Sequence, residues 1–202
     1  YLGEISVVLA PSCIEPTALV ASAVTANTAT LSWTASTSSP SNGYDIYYST
    51  TNTAPLAGTT PTVNNHTASP LNATSLTSAS TYYWWVRSDC GAETSTWAYG
   101  GSFTTNQIAA TLPYTHNFSG TNGFSFVNGT QTNQWAFGSA AGNTGNSIYI
   151  SNDLGVTNAY TLGSTSVTQA YRDIAIPVGT TSASFSFDWN ANGESTYDYL
   201  RV

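Results

Sequence analysis

Residues 76–88 read LTSASTYYWWVRS, and this stretch decides the predicted fold. Small polar residues are followed by a run of aromatic and apolar side chains that favour β-strands. Successive side chains of a strand point to opposite faces. Tyr82 and Val86 therefore share one face, which we expect to pack in a core. Tyr83 and Trp85 point the other way, where they either stack on sugar rings or pack against a neighbouring domain.

The segments on either side of this stretch have the same alternating pattern. TALVAS, TATLSWT, GYDIYYS, TASPLNA and WAYGGSFTT each alternate apolar and polar residues, and clusters of Ser, Asn, Gly and Pro separate them. Short strands at this spacing are typical of two antiparallel sheets packed face to face. Residues 12–106 are therefore predicted to form one β-sandwich.

The composition of the whole chain also favours strands. Charged residues make up 6% of the 202 residues, whereas Ser and Thr together contribute 60. An ordinary globular chain has about 25% charged residues. The aromatic content of 13% supplies core material that disordered chains lack. We expect an all-β protein with almost no helix and a surface of hydroxyl and amide groups.

The charge and the cysteines limit the possible partners and compartments. A net charge of −7, with three arginines and no lysine, offers no basic stripe for nucleic acid, whereas divalent cations and neutral glycans remain compatible. No apolar run reaches the length of a membrane span. Cys13 and Cys90 lie at the two ends of the predicted sandwich, so we expect a disulfide and an oxidising compartment. The alternative is two buried thiols.

Both ends of the sequence are predicted to be strands without neighbours. YLGEISVVLA alternates apolar and polar residues before a Pro and a Cys, and YDYLRV ends the sequence within such an alternation. Residues 111–202 show further strands, including SASFSFDWN, separated by glycine-rich loops. We expect these residues to form a second all-β module that is incomplete.

Residues 12–106 resemble the fibronectin type III family. Trp33 takes the family's Trp position on its second strand, and Tyr82 takes the Tyr position. Leu76 and Val86 match the Leu and Val positions, while the Pro and Thr positions of the pattern are both serine here. The resemblance implies a tyrosine corner, in which the Tyr82 hydroxyl bonds to backbone upstream.

Residues 111–202 resemble the N-terminal part of MAM-like jelly rolls of the choice-of-anchor J or cleaved-adhesin type. The match is carried by residues 112–118, Trp135, residues 187–189, residues 193–195 and residues 197–202. This resemblance implies a large surface adhesin of Bacteroidetes-type bacteria that is delivered by type IX secretion.

The opening strand, residues 1–11, resembles the last strand of such a jelly roll. It is therefore predicted to belong to a preceding jelly-roll domain, so that the sequence is one period of an alternating array of sandwiches and jelly rolls. The alternative is that this strand adds to the open jelly roll, either in the same chain or in a neighbouring copy.

The segment DWNANGESTYD is the strongest chemical signal. Oxygen ligands at alternate positions followed by a glycine are typical of the opening of a calcium loop. The predicted metal ligands are Asp188, Asn190, Asn192, Glu194 and Asp198. The glutamate expected at the twelfth position of such a loop is Tyr199. A plain hairpin turn, or a carboxylate bonded to Arg172 or Arg201, is the alternative.

No catalytic constellation is visible, and we expect no enzyme. His66 and His116, the only histidines, lie in different predicted domains and are interpreted as solvated loop residues. The predicted function is a non-catalytic repeat region of a large secreted adhesin or filament at the bacterial cell surface, with roles in attachment or gliding. One rival is a set of accessory modules of a secreted hydrolase. The other is a glycan-binding module, which requires Trp85, Trp97 or Trp135 to be exposed in a groove.

Overall fold

The computed structural model describes residues 12–142, 145–191, 193–194 and 196–202. Within these ranges the chain forms strands and no helix, which confirms the all-β prediction. The strands are β1 (Thr17–Ser22), β2 (Ala29–Thr34), β3 (Gly43–Ser49), β4 (Val63–His66), β5 (Leu71–Ala73), β6 (Thr81–Asp89), β7 (Ala98–Thr104), β8 (Ala110–Thr111), β9 (Ser125–Val127), β10 (Gln134–Gly138), β11 (Ser147–Ser151), β12 (Gln169–Tyr171) and β13 (Ile174–Ala175).

Strands β1 to β7 form a two-sheet sandwich, here called the first module. One sheet has the order β1-β2-β5 and the other β4-β3-β6-β7, and all neighbours are antiparallel. The alternating side chains of both sheets meet in one buried cluster, as the sequence pattern predicts. That cluster contains Ala29, Leu31, Trp33, Tyr44, Ile46, Leu71, Ala73, Leu76, Tyr82, Trp84, Val86 and Phe103.

Trp84 occupies the centre of this core and is fully buried. Its ring lies against the backbone of Gly100 on β7, where a Cβ atom would come within 2.1 Å of Trp84 Cε2. No side chain fits at that distance, so only glycine allows β7 to pass over the indole.

The tyrosine corner expected at Tyr82 is present. The backbone N–H of Thr77 donates to the Tyr82 hydroxyl oxygen at 2.9 Å. The Tyr82 ring stacks on Phe103, with ring centroids 5.7 Å apart. The hydroxyl thereby fixes the connection that precedes β6, while the ring contributes to the core.

Cys13 and Cys90 form the predicted disulfide, with Cα atoms 6.0 Å apart and a separation of 77 positions in the sequence. The bond ties the start of the sandwich to the end of β6. For a loop of this length the chain-entropy model gives about 4.5 kcal/mol of stabilisation as an upper estimate. The same corner is held by the Ser88 hydroxyl, which donates to the Ile14 carbonyl at 2.7 Å.

Residues 107–202 are here called the second module, and their described part contains three two-stranded sheets. β10 pairs with β11 and β12 with β9 in antiparallel fashion, whereas β13 pairs with β8 in parallel. An aromatic cluster lies between them, formed by Tyr114, His116, Phe118, Phe124 and Phe137. The jelly-roll assignment of this module stays a prediction, and the opening strand of residues 1–11 lies outside the described residues.

Two expected strands are absent from the described part of the second module. Residues 182–190 and 197–202 alternate apolar and polar residues, but neither segment pairs with another strand. Their large side chains, such as Phe185 and Trp189, are exposed. A strand needs a hydrogen-bonded neighbour as well as a suitable pattern, and these segments have no neighbour within the described ranges.

Replacing Gly100 by alanine should destabilise the first module, because the new methyl group would overlap the Trp84 indole. We expect G100A to lower the free energy of unfolding by about 1–3 kcal/mol. Urea unfolding followed by tryptophan fluorescence measures this change.

Gly58 is the matched control for this experiment, because a Cβ atom there meets no atom within 4 Å. G58A should stay within about 0.5 kcal/mol of the parent protein. Equal stability of both variants would show that Trp84 can move away from β7 at little cost.

Candidate functional site

The outer face of the four-stranded sheet carries a buried ion pair. Arg87 on β6 lies opposite Asp45 on β3. Arg87 Nη2 and Nε lie 2.9 Å and 3.0 Å from Asp45 Oδ2, and the two side chains are only 9% and 2% exposed. The other carboxylate oxygen, Oδ1, accepts the backbone N–H of Asn65 at 3.2 Å. Two neighbouring strands are thereby linked to β4 by one network of charged hydrogen bonds.

The loop between β3 and β4 covers this ion pair. Arg87 Nη1 donates to the carbonyl oxygen of Ala57 at 2.6 Å. The Trp97 indole N–H donates to the carbonyl oxygen of Leu56 at 3.1 Å, and the Arg87 guanidinium lies 4.4 Å from the centroid of the Trp97 ring. The cation is therefore held between an aromatic ring and backbone carbonyls of the loop.

Trp85 does not lie exposed on this face. Its side chain is 3% exposed and packs between Tyr47 and Tyr99, with ring centroids 5.9 Å and 5.2 Å away. The expectation that Trp85 could stack on a sugar is wrong, because neighbouring aromatic side chains occupy both of its sides. Trp97 and Trp135 are half-buried, and Trp135 lines a shallow cavity of about 270 Å³ in the second module.

Removing one partner of the ion pair should be costly, because the other charge would stay buried without compensation. We expect Asp45→Asn to lower the free energy of unfolding by about 3–5 kcal/mol. Urea unfolding gives the value, and Glu93→Gln, which changes an exposed carboxylate, is the control.

The double variant Asp45→Leu with Arg87→Met replaces both charges by apolar groups and should recover most of the loss. A loss below about 0.5 kcal/mol for Asp45→Asn alone would contradict the assignment of Arg87 and Asp45 as a structural centre.

The connection between the two modules is fixed by two consecutive amides. Asn106 belongs to the first module, because its backbone N–H donates to the Thr25 carbonyl at 3.0 Å and its Nδ2 to the Val24 carbonyl at 3.2 Å. Its own carbonyl accepts the Ala79 N–H at 3.1 Å. These three hydrogen bonds show that the first module extends to residue 106.

Gln107 belongs to the second module and is only 8% exposed. Its Nε2 donates to Ser125 Oγ at 2.6 Å and to the Tyr171 carbonyl at 3.0 Å. Its Oε1 accepts from Arg172 Nη1 at 3.1 Å and from the Asp173 backbone N–H at 3.0 Å. Both donors and both lone pairs of the amide are thereby used. The hydrogen bonds of the second module therefore begin at Gln107, directly after the last residue bound to the first module.

A cleft lies between the modules beside this connection, here called the junction cleft. Its volume is about 450 Å³. The first module contributes Ala79, Thr81 and Thr104, and the second contributes residues 124–129 and Tyr171. No charged side chain lines it. No sequence motif indicates this site, because its lining residues come from distant parts of the chain.

Replacing Gln107 by alanine should loosen the connection while leaving both modules folded. We expect ¹⁵N relaxation of Gln107→Ala to show shorter rotational correlation times for the two modules, because the four hydrogen bonds that hold the linker to the second module are lost. Gln169→Ala, which alters an exposed glutamine on β12, should tumble like the parent. Unchanged tumbling of Gln107→Ala would contradict the role assigned to this side chain.

The predicted calcium ligands are only partly brought together. Asp188 and Asn190 are exposed, and Asn192 lies outside the described residues. The backbone N–H of Glu194 donates to Asp198 Oδ2 at 2.8 Å, which closes a turn around Gly193. In the part of the chain that the structure describes, no group of three or more His, Cys, Asp or Glu side chains is arranged to hold a metal ion.

The Asp198 carboxylate has a second neighbour in Tyr160. The pKa of the Tyr160 phenol is raised above its ordinary value by partial loss of solvent, by the charge of Asp198 and its hydrogen bond, and by the charge of Glu194. Arg172 instead donates to Gln107, and Arg201 Nη2 donates to the Tyr199 hydroxyl at 3.3 Å. The calcium assignment of this turn stays a prediction.

A second carboxylate turn follows β11. Asp153 Oδ1 accepts from the Ser151 hydroxyl at 2.6 Å and from the Thr157 backbone N–H at 2.9 Å, and Oδ2 accepts from the Thr157 hydroxyl at 2.7 Å. These hydrogen bonds, that of Ser151 above all, lower the pKa of Asp153 to about 2. The Asp153 carboxylate is therefore charged at pH values above about 2, and in this form it accepts the hydrogen bonds that hold the loop.

Neither histidine is a solvated loop residue. His66 is half-buried at the end of β4, where its ring lies 6.1 Å from that of Trp33 and Nε2 lies 3.3 Å from the Pro70 carbonyl oxygen. His116 packs edge-on against Phe118, and its Nδ1 accepts the Phe118 N–H at 3.2 Å. Both rings are therefore packing groups, and the earlier interpretation is corrected.

The β-sandwich fold and the disulfide indicate an extracellular module, since disulfides persist in oxidising compartments. Residues 15–100 match the family model of the fibronectin type III domain, in agreement with the two-sheet sandwich of the first module. Domains of this family are generally non-catalytic and commonly serve as binding or spacer modules.

The comparisons with curated proteins and with solved structures say nothing about function. No curated protein matches the chain. The crystal structure of chicken CNTN1 FN1-FN3 domains is similar at 10% identity and a TM-score of 0.37, over 82% of this chain and 57% of that one. The chain thus spans little more than half of that structure, and the likeness carries no argument about function. Within the described ranges, no helix has the length and apolar character needed to cross a membrane.

Proposed function

We propose that this chain is a non-catalytic spacing and adhesive segment of a large secreted protein, an adhesin or filament at a bacterial cell surface. The observation that carries the proposal is the connection at Asn106 and Gln107, where each amide is bound to a different module. We expect two β-modules joined in this way to move little relative to one another. Stiff units in tandem suit a protein that holds a binding end away from the cell.

The chemistry of the surface supports an extracellular setting. Only 6% of the residues are charged, and the polar groups are mostly hydroxyls and amides. The Cys13–Cys90 disulfide is typical of proteins exposed to oxidising conditions. The fibronectin type III domain at residues 15–100 supplies a module that commonly spaces or binds.

The finer parts of the proposal rest on the resemblance of residues 111–202 to MAM-like jelly rolls. They are the bacterial origin, delivery by type IX secretion, a role in attachment or gliding, and an array in which sandwiches and jelly rolls alternate. The partners in this proposal are neighbouring modules of the same long chain and extracellular glycans or surfaces.

The proposal predicts the size of the native polypeptide. Gel electrophoresis and mass spectrometry of the denatured protein from its source should give a mass of hundreds of kilodaltons, with tryptic peptides that repeat this pair of modules. Native protein with a mass close to 21.2 kDa, the mass of the present sequence, would contradict the array. A catalytic domain among the peptides would instead support accessory modules of a secreted hydrolase.

Calcium is the cofactor that the proposal includes, at the turn of residues 188–198. Isothermal titration calorimetry should show calcium binding, and added EDTA should lower the melting temperature of the calcium-loaded protein, because a ligand of the folded state stabilises it. Asp188→Asn should weaken binding without disturbing the hydrogen bond between Glu194 and Asp198.

Asp173→Asn, which alters an exposed carboxylate elsewhere in the second module, is the matched control and should bind like the parent. Absence of binding heat together with an unchanged melting temperature in EDTA would overturn the calcium assignment and leave a plain turn.

A further inference from the structure

The junction cleft has an aromatic side chain on one wall and hydroxyl groups on the other. Its second-module wall includes Tyr171, whose side chain is 40% exposed. Its first-module wall presents the hydroxyls of Thr81 and Thr104, whose Oγ1 atoms lie 2.9 Å apart. We propose that the junction cleft is a binding site for a neutral saccharide.

A sugar ring matches both walls. Its axial C–H groups form apolar faces that pack on aromatic rings, and its hydroxyls donate and accept hydrogen bonds at the edges. Tyr171 is 40% exposed and therefore offers ring surface to a ligand. The paired threonine hydroxyls each have donor and acceptor capacity beyond the bond they share. A volume of about 450 Å³ is within the range of small-molecule sites, which often lie between domains.

The electrostatics favour an uncharged ligand. No charged side chain lines the cleft. The nearby cation, Arg172, already donates to Gln107 and lies 5.5 Å from the centroid of the Tyr114 ring. The chain as a whole carries a net charge of −7, which repels sulfated, phosphorylated or sialylated sugars.

The second-module wall of the cleft is fixed before any ligand arrives. Gln107 donates to Ser125 Oγ and to the Tyr171 carbonyl, and both of these residues belong to that wall. They are also paired with each other across β9 and β12. Gln107 thus holds the backbone that carries Tyr171 in place, which lowers the ordering cost of binding.

The test is an NMR titration of the full 202-residue chain with uncharged trisaccharides of glucose, of mannose and of N-acetylglucosamine, and with sialyllactose as a charged comparison. We expect millimolar binding of a neutral sugar, with amide shifts confined to residues 79–81, residue 104, residues 124–129 and residue 171. Sialyllactose should bind more weakly than the best neutral sugar.

Two variants locate the site. Tyr171→Ala should weaken binding about tenfold, the equivalent of one stacking contact. Its backbone carbonyl, which accepts from Gln107, is kept, so the connection should persist. Tyr99→Ala removes a more exposed tyrosine from the first module, 52% exposed and outside the cleft, and should bind like the parent. Dispersed amide spectra confirm that both variants are folded.

Absence of shifts with all three neutral sugars, or shifts that Tyr171→Ala leaves unchanged, would overturn the saccharide site. The inference deepens the proposed adhesive role and rests on it only for the choice of extracellular sugars as ligands. A stiff pair of modules from a very large native protein that binds no sugar would leave the spacing role standing. If a native protein of 21.2 kDa bound sugar, the saccharide site would stand and the tandem array would be overturned.

Discussion

Strand β6 has to bury large side chains on both of its faces, and the first module is arranged around this constraint. On the inner face Trp84 fills the space between the sheets, so that β7 can pass only with glycine at position 100. On the outer face Arg87 is buried as well, and its charge is met by Asp45 and by the Ala57 carbonyl. If solvent alone covered this face of the sheet, Arg87 and Asp45 would be exposed. They are buried because the loop between β3 and β4 and the Trp97 ring lie over them.

Because charged side chains are so few, amides bond to the backbone at several structural positions. Asn128 and the backbone of Trp135 exchange two hydrogen bonds, and Asn133 does the same with Thr161. Gln107 extends this pattern to the boundary between modules. An amide can satisfy a backbone donor and acceptor at once without the desolvation cost of a charge, which makes it suited to half-buried connections.

Structural features that depend on local alternation can be predicted from the sequence. Features that depend on contacts between residues far apart in the sequence cannot. The hydrogen bond of Tyr82 was predicted from the resemblance to the fibronectin type III pattern, and the disulfide from two cysteines at the ends of the predicted sandwich. The burial of Trp85 was not, because it depends on Tyr47 and Tyr99 from other strands. The four hydrogen bonds of Gln107 come from residues 18 to 66 positions away, and no linker composition encodes them. Residues 182–190 have the right alternation, yet no strand pairs with them in the described part of the chain.

Stiffness and ligand binding are thermodynamically linked at the junction cleft, because the same two walls define both. A sugar that contacts Tyr171 and Thr104 together binds only while the modules keep their present arrangement, so it stabilises that arrangement by mass action. By the same linkage, any interaction that favours this arrangement of the modules also strengthens the sugar's binding. Attachment would then stiffen the segment that bears it, and a pull that separates the walls would weaken the attachment. In a tandem array, the strength of attachment to a surface would then depend on the tension along the chain.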